Sequence, residues 1–281
     1  MSYSVAVIAR NAADTIRSTL DSVLNQTLRP TRILVVNDGS TDKTERFLSD
    51  YVHSYGRFVQ LLTQPDRGYD IRRVPANINL ALRTAETELP TDFFMISGDD
   101  CTYPADYAKT LVDRMLAESR VVVASGQPSS GKVTSQEKVP SGSGRMVNCR
   151  FWRAVGGRYP LRAGWETWLL YKAEEKGFKV RLFDDLAFGH ARPRGAKHRF
   201  FYWGAAMQTL GYHPLYALGR IAKNVLSRSM TLRGSLVFFR GYLQACLGSE
   251  DSFISPFEPT LRRFVRTSQA RRIIDMIAAL L

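Results

Sequence analysis

The first half of the chain alternates short apolar runs with amphipathic segments, and this alternation limits the folds that it can adopt. Residues 4–9 and the β-branched run at residues 33–36 have the composition of buried strands. Between them, Ile16, Leu20 and Val23 recur at helical spacing. Strands that alternate with helices predict an α/β fold with a mostly parallel sheet, flanked by helices on both faces.

The same alternation continues to residue 124. We predict further strands at residues 58–62, 93–96 and 121–124, and further helices at residues 74–85 and 107–115. Ligands of such sheets bind at the carboxyl ends of the strands. Polar clusters follow the strands at residues 10–11, 38–40, 64–68 and 98–100. Each cluster taken singly has a second explanation, because Asn, Asp and Gly also form ordinary turns.

Length and cysteine content exclude several classes of protein. A chain of 281 residues fits one large or two small domains with a true core. The sequence contains no run of about eighteen apolar residues, so we predict no transmembrane helix. The N-terminus also lacks the pattern of a signal peptide. The three cysteines lie too far apart for a disulfide framework or a cysteine-rich zinc site. We therefore expect a cytoplasmic protein with reduced thiols.

The net charge of +13 has three candidate partners: nucleic acid, an anionic membrane surface, or anionic small molecules such as nucleotides. Residues 200–281 hold ten Lys and Arg against four Asp and Glu, so the C-terminal part is the more basic one. We find no basic stripe interleaved with aromatic residues in the order of a known nucleic-acid module, which argues against nucleic acid.

Composition also changes along the chain. Residues 125–144 contain six Ser, four Gly and two Pro, which predicts a long mobile loop after the last clear strand. We predict a catalytic domain over residues 1–198 and a basic helical C-terminal region over residues 199–281. Within the latter, residues 214–228 and 232–247 have the pattern of amphipathic helices, which either lie on a membrane or pack on the catalytic domain. Residues 271–281 are a third, short amphipathic segment, and we interpret it as a docking segment or as a contact in a homo-oligomer.

The order of the motifs is more specific than any one of them. An opening strand with Asn11, the segment Val35 to Thr44, the pair Asp99 and Asp100 and the later Glu166 follow one another. This series resembles family 2 glycosyltransferases of the GT-A fold over roughly residues 4–195. The resemblance implies a Rossmann-like sheet. It also implies transfer of a sugar from a nucleoside diphosphate donor, with inversion and with Mn²⁺ or Mg²⁺ on the diphosphate.

The resemblance assigns donor-binding residues. It implies that Ala9 and Asn11 lie along the base and the ribose, and that Asp38 accepts a hydrogen bond from the base. Arg73 is the candidate contact to the nucleotide or its phosphates. An Asx turn is the alternative explanation for Asp38.

The metal site is implied in the same way. Asp99 and Asp100 stand where the family carries its Asp-x-Asp motif, with Ser97 in place of the first aspartate, so Asp99 becomes the main ligand. His190 is the third candidate, and its imidazole suits Mn²⁺ better than Mg²⁺. The guanidinium of Arg192 matches the geometry of phosphate oxygens. A helix N-terminus for the acidic pair and an exposed histidine are the alternatives.

Inversion needs a general base, and the resemblance assigns this role to Glu166. The family's Glu-Asp pair is here Glu166 and Thr167. Trp165 and Trp168 either offer a stacking surface for a sugar or pack in a core.

These assignments predict a hexosyltransferase acting on polysaccharide, glycolipid or lipid-linked glycan acceptors at the inner face of the cell membrane. Two other functions stay open: an inactive membrane-associated scaffold and a sugar-phosphate nucleotidyltransferase. Residues 10–13 lack the glycine-rich basic loop that a nucleotidyltransferase needs after its first strand.

Overall fold

A computed structural model describes residues 1–129, 139–192, 199–226, 230–248 and 250–278. The chain forms two compact units. The first consists of Met1–Tyr159 and Gly177–Arg194, and the second of Pro160–Lys176 and Gly195–Leu281. No helix among the described residues is both long enough and apolar enough to cross a bilayer.

The first unit is built on a mixed sheet. Its strands are β1 (Tyr3–Ala9), β2 (Arg32–Asp38), β3 (Val59–Gln64), β4 (Phe93–Gly98), β5 (Cys101–Thr102), β6 (Val121–Pro128), β7 (Arg145–Asn148) and β8 (Lys179–His190). Their order in the sheet is β3-β2-β1-β4-β7-β6-β8-β5. Strands β3, β2, β1 and β4 are mutually parallel. Strand β7 is antiparallel to β4 and β6, β8 is parallel to β6, and β5 is antiparallel to β8.

Helices connect the strands of this unit. They are α1 (Ile16–Leu24), α2 (Thr44–Tyr55), α3 (Val74–Glu88), α4 (Tyr107–Ala117) and α5 (Cys149–Ala154), and a 3₁₀ turn at Ile71–Arg73 precedes α3. Apolar residues of β1 and β2 and the inner faces of α1 and α4 share one buried cluster. The buried Gln26 joins α1 to α4, since its side chain donates to the Pro104 carbonyl and accepts from the Ala108 amide. The predicted alternation of strands and helices is confirmed.

The second unit is helical. It contains α6 (Trp165–Glu175), α7 (Arg199–Thr209), α8 (Pro214–Leu226), α9 (Leu232–Leu247) and α10 (Pro259–Ala278), with a 3₁₀ turn at Ser252–Ile254. Helices α7 and α9 cross at two glycines. A Cβ on Gly204 would lie 1.8 Å from the Phe238 carbonyl oxygen, and a Cβ on Gly241 would lie 1.9 Å from that of Phe201. The backbones therefore approach more closely than any other residue would allow.

Two longer segments belong to other elements or units than the sequence predicted. Residues 125–128 belong to β6 rather than to the predicted loop, because Ser125 to Pro128 pair with β8; residues 130–138 of that loop lie outside the described residues. Residues 160–176, which we predicted as part of the catalytic domain, group with the C-terminal helices. Their backbone is tied there, since the Ala163 amide donates to the Phe253 carbonyl at 2.6 Å.

Candidate functional site

The candidate site lies at the carboxyl end of the parallel strands. Strand β1 pairs with β2 on one side and with β4 on the other. The order of the strands in the sheet therefore reverses at β1, although the strands stay parallel. Such a reversal opens a crevice beyond the strand ends, where ligands of α/β sheets bind. Ala9, Asp38 and Gly98 end the three strands. The predicted polar clusters are therefore brought together by the topology.

Asp99 is a buried carboxylate held by a backbone amide and a guanidinium. Its side chain accepts a hydrogen bond from the Arg10 amide at 3.0 Å and pairs with Arg192 Nη1 at 3.1 Å. Burial raises the pKa of Asp99 to about 6, and the charge of Arg192 and the Arg10 amide oppose this rise. Arg192 thus lies beside the acidic pair with its guanidinium partly exposed, and its contact to phosphate oxygens stays a prediction.

Asp100 contacts His190 and the Arg192 backbone amide, which donates to Asp100 Oδ2 at 3.3 Å. The two-residue strand β5 pairs with the end of β8, which places Cys101 opposite His190. His190 Nδ1 lies 3.5 Å from Asp100 Oδ2, and the Ala191 amide donates to the Asp100 carbonyl at 2.9 Å. Donor atoms of Asp100, Cys101 and His190 all lie within 4.8 Å of one another. In the part of the chain that the structure describes, this is the set of side chains that can share a metal ion, and it does not include Asp99.

The chemistry of these side chains fits a divalent cation. Carboxylate oxygens and a neutral imidazole suit Mn²⁺, and carboxylates alone suit Mg²⁺. Asp99 and Asp100 are both less than 9% exposed, so their charges need a nearby cation for compensation. Burial raises the pKa of the Cys101 thiol to about 11, so sulfur is the weakest donor of the set. The metal roles of Asp99, Asp100 and His190 stay predictions.

Asp38 is also buried, and its carboxylate already has a partner. Arg73 donates from Nε and from Nη2 to the two Asp38 oxygens, each at 3.1 Å. These bonds raise the pKa of Arg73 above its ordinary value. Arg73 also donates to the Gly68 carbonyl. The two residues that the resemblance assigned separately to the nucleotide therefore form one bidentate pair.

Arg10 stands in the polar cluster predicted after β1, but no separate role was predicted for it. Its guanidinium donates to the carbonyls of Asp38 and Gly39 and pairs with Asp66 at 2.7 Å, while its amide binds Asp99. It is the residue that joins the Asp38 side of the crevice to the Asp99 side. The available signal was its position directly after β1, at the carboxyl end of the sheet.

The turns around Arg10 have unusual backbones. Asn11 has a φ of 47°, a region that non-glycine residues enter rarely, and Asn most often. Its carbonyl accepts from Arg192 Nη2 at 3.3 Å, and its side chain accepts from the Thr41 amide at 2.8 Å. Gly39 has a φ of 65°, and a Cβ there would lie 2.4 Å from the Asp66 Cα. This close approach lets the loops after β2 and β3 meet at the crevice.

Glu166 belongs to the second unit. It is exposed in the first turn of α6, which follows Gly164 in a left-handed conformation with a φ of 90°. Trp168 is buried in the helical core, which favours packing over sugar stacking for this residue. The role of Glu166 as a base stays a prediction.

Comparison with known proteins agrees on one family. The model of the family described as "Glycosyl transferase family 2" matches residues 4–185. The uncharacterized glycosyltransferase YibD of Escherichia coli (strain K12) is 30% identical over 115 residues, which is 41% of this chain and 30% of YibD. The match therefore spans less than a third of that relative.

Solved structures agree with the fold. S. aureus TarS residues 1–349, crystallised with UDP-GlcNAc, superimpose with a TM-score of 0.56 at 14% identity, over 86% of this chain and 79% of that one. The mannosyltransferase PcManGT from Pyrobaculum calidifontis, in complex with GDP-Man and Mn²⁺, gives 0.57 at 16% identity, over 96% and 80%. Against the longer TarS chain, the match covers 44% of TarS. At these identities the likeness concerns the fold, which is of the GT-A type.

Proposed function

The chain belongs to glycosyl transferase family 2, and from this premise we propose that it transfers a hexose from a nucleoside diphosphate sugar to a hydroxyl acceptor with inversion. The observation that carries the proposal is the crevice beyond β1 and β4. Three buried aspartates, a histidine and three arginines converge there on one edge of the sheet. Such a set of charges suits a ligand that contains both a metal ion and phosphates.

The diphosphate binds, in this proposal, at Asp99, Asp100, His190 and Arg192. A divalent cation would be held by Asp100 and His190, and by Asp99 once that carboxylate gives up part of its contact with Arg192. The cation would neutralise the charge that develops on the diphosphate as it leaves. Arg192 then exchanges part of its contact with Asp99 for phosphate oxygens, because its guanidinium is 44% exposed and offers five donors. The solved neighbours bind UDP-GlcNAc in one case and GDP-Man with Mn²⁺ in another, which supports both parts of the assignment.

The nucleoside lies, in this proposal, between Ala9, Asn11 and Asp38. A carboxylate has about four acceptor positions, and Arg73 uses two of those on Asp38, so a base N–H has room to donate to the same group. Arg73 fixes the position of this carboxylate through its two hydrogen bonds. We propose that Arg10 orients the neighbouring carbonyls and that Arg73 acts on the base through Asp38.

The acceptor reaction needs a base to take up the hydroxyl proton as the hydroxyl attacks the anomeric carbon. We propose Glu166 for this role, supported by its exposed carboxylate at the start of α6 and by its place in the motif order. Glycans, glycolipids and lipid-linked glycans are the proposed acceptors. The basic C-terminal helices support a location at the cytoplasmic face of an anionic membrane.

The experiment that tests the proposal measures release of UDP or GDP from a panel of UDP- and GDP-sugars, with Mn²⁺, Mg²⁺ or EDTA. We expect release from at least one donor with a divalent cation and none with EDTA, and a product of inverted anomeric configuration by NMR. A retained configuration would overturn the mechanism. Absence of release from every donor, at donor concentrations that saturate binding, would overturn the proposed activity.

A further inference from the structure

Helices α8 and α9 carry leucines that the second unit leaves in water. On α9, Leu232, Leu236, Leu243 and Leu247 are 73%, 70%, 43% and 86% exposed. Their spacing of 4, 7 and 4 residues places all four on one side of the helix. The opposite side holds Phe238 and Tyr242, which are buried. The leucines are therefore surplus to the core of this unit.

Helix α8 has the same arrangement. Leu215, Leu218 and Leu226 are 71%, 47% and 84% exposed and share one side of the helix, while Ala217 points into the core. Ala217 and Ile221 of α8 pack in the same cluster as Phe238 and Tyr242 of α9. One core thus holds both helices by their inner sides, and each presents a leucine row outward. Exposed leucines grouped on one side of a helix indicate a binding surface.

The charges on the two helices decide what the surface binds. Neither α8 nor α9 contains Asp or Glu, whereas Lys223, Arg233 and Arg240 are exposed on them. On a helical projection Arg233 and Arg240 lie directly beside the α9 leucine row, and Lys223 lies beside the α8 row. Long basic side chains in this position keep their charge at a polar boundary while their stems cover apolar surface.

From this arrangement we propose that the outward leucine rows of α8 and α9 insert into the interfacial layer of an anionic lipid bilayer. Interfacial helices combine an apolar side with flanking cations, and anionic headgroups attract those cations. A second copy of the chain fits less well, since a symmetric contact would bring the same arginines of both copies together without a carboxylate on either helix. The inference deepens the membrane part of the proposed function by naming the residues that insert.

The test is co-sedimentation with vesicles of 30% phosphatidylglycerol in phosphatidylcholine, and with vesicles of phosphatidylcholine alone, without nucleotide or metal. We expect binding to the anionic vesicles that weakens with salt, and little binding to the neutral ones. A Leu232→Ser, Leu236→Ser, Leu247→Ser variant should bind the anionic vesicles about tenfold more weakly. An Arg233→Gln, Arg240→Gln variant should lose most of the preference for anionic lipid.

Matched controls are Leu116→Ser and Leu161→Ser, which remove exposed leucines from other parts of the chain and should leave vesicle binding unchanged. Equal binding by the leucine-row variant and the wild type would overturn the inference. The inference would also be overturned if the wild type were a dimer, the leucine-row variant were a monomer, and neither protein bound vesicles. Donor binding is measured separately on the wild type, so its absence counts against the proposed sugar transfer and not against this surface.

Discussion

Arg73 binds both carboxylate oxygens of Asp38, with donor to acceptor distances of 3.1 Å for each of the two hydrogen bonds. The pair connects the 3₁₀ turn before α3 with the end of β2, which are neighbours only in the folded chain. Asp38 is 7% exposed, so Arg73 is the charged partner of a buried carboxylate. A bidentate ion pair therefore orders this end of the crevice.

Arg73→Ala should destabilise the protein, because it leaves the buried Asp38 carboxylate without its charged partner. We expect a loss of about 1–3 kcal/mol in the free energy of unfolding, measured by urea denaturation. Arg73→Lys should recover only part of the stability that Arg73→Ala loses, since a lysine cannot form the two parallel hydrogen bonds. An unchanged denaturation midpoint in Arg73→Ala would show that the pair contributes nothing.

Asp99→Ala should abolish the Mn²⁺-dependent release of nucleoside diphosphate, while His190→Ala should raise the Mn²⁺ concentration for half-maximal release by about 10- to 100-fold. The reason is that both side chains lie at the acidic edge assigned to the metal and diphosphate. Activity measured across a Mn²⁺ titration separates the two effects. Unchanged turnover in Asp99→Ala would contradict its assignment.

Glu166→Gln should lower sugar transfer by about 10²- to 10⁴-fold and leave donor binding nearly intact, because the amide keeps the shape of the side chain and cannot accept the proton. Single-turnover kinetics and donor calorimetry on the same variant distinguish the two quantities. A variant that binds donor poorly would instead assign Glu166 to binding.

Gly204→Ala should destabilise the helical unit, because the new Cβ would lie 1.8 Å from the Phe238 carbonyl oxygen and force α7 away from α9. We expect a cost of about 1–3 kcal/mol in thermal or urea unfolding. The matched control is Gly219→Ala in α8, where a Cβ meets nothing within 4 Å and the substitution should favour the helix slightly. Equal stability of the two variants would show that the glycine crossing is not tight.

Cys246 should be the fast-reacting thiol of the native protein. It is exposed, whereas Cys101 and Cys149 are buried, and burial raises the pKa of Cys149 to about 11. A thiol assay at pH 8 should count one rapid equivalent before denaturation and three after it. A second rapid equivalent would place one of the buried thiols in solvent.

The parallel part of the fold was predictable because each of its strands carries its own signal. Strands β1, β2 and β4 are continuous apolar runs, buried on both faces, so composition identifies them locally. Strands β5 and β7 have two and four residues, which is too short for a period, and they exist only through pairing with distant segments. Strand β8 carries mixed polar residues and a register shift opposite residues 126 and 127, so its alternation is interrupted.

Prediction of the site had the same limit. The residues after β1, β2 and β4 were predictable from topology, because parallel strand ends meet at one edge. Which partner each side chain takes was not, since the Asp38 pair with Arg73 and the Asp100 contact with His190 join residues 35 and 90 positions apart. The use of Arg10 as the link between Asp38 and Asp99 likewise depends on loop conformations that no motif encodes.

The central claim is that this crevice binds a nucleoside diphosphate together with a divalent cation. Isothermal titration of UDP and GDP into the protein, with Mn²⁺ and with EDTA, tests it most directly. We predict that at least one of the two binds with Mn²⁺, that EDTA abolishes the binding, and that an Asp99→Ala, His190→Ala variant does not bind it while keeping its fold by circular dichroism. Absence of binding by both nucleotides with Mn²⁺, or equal binding by the variant, would contradict the claim.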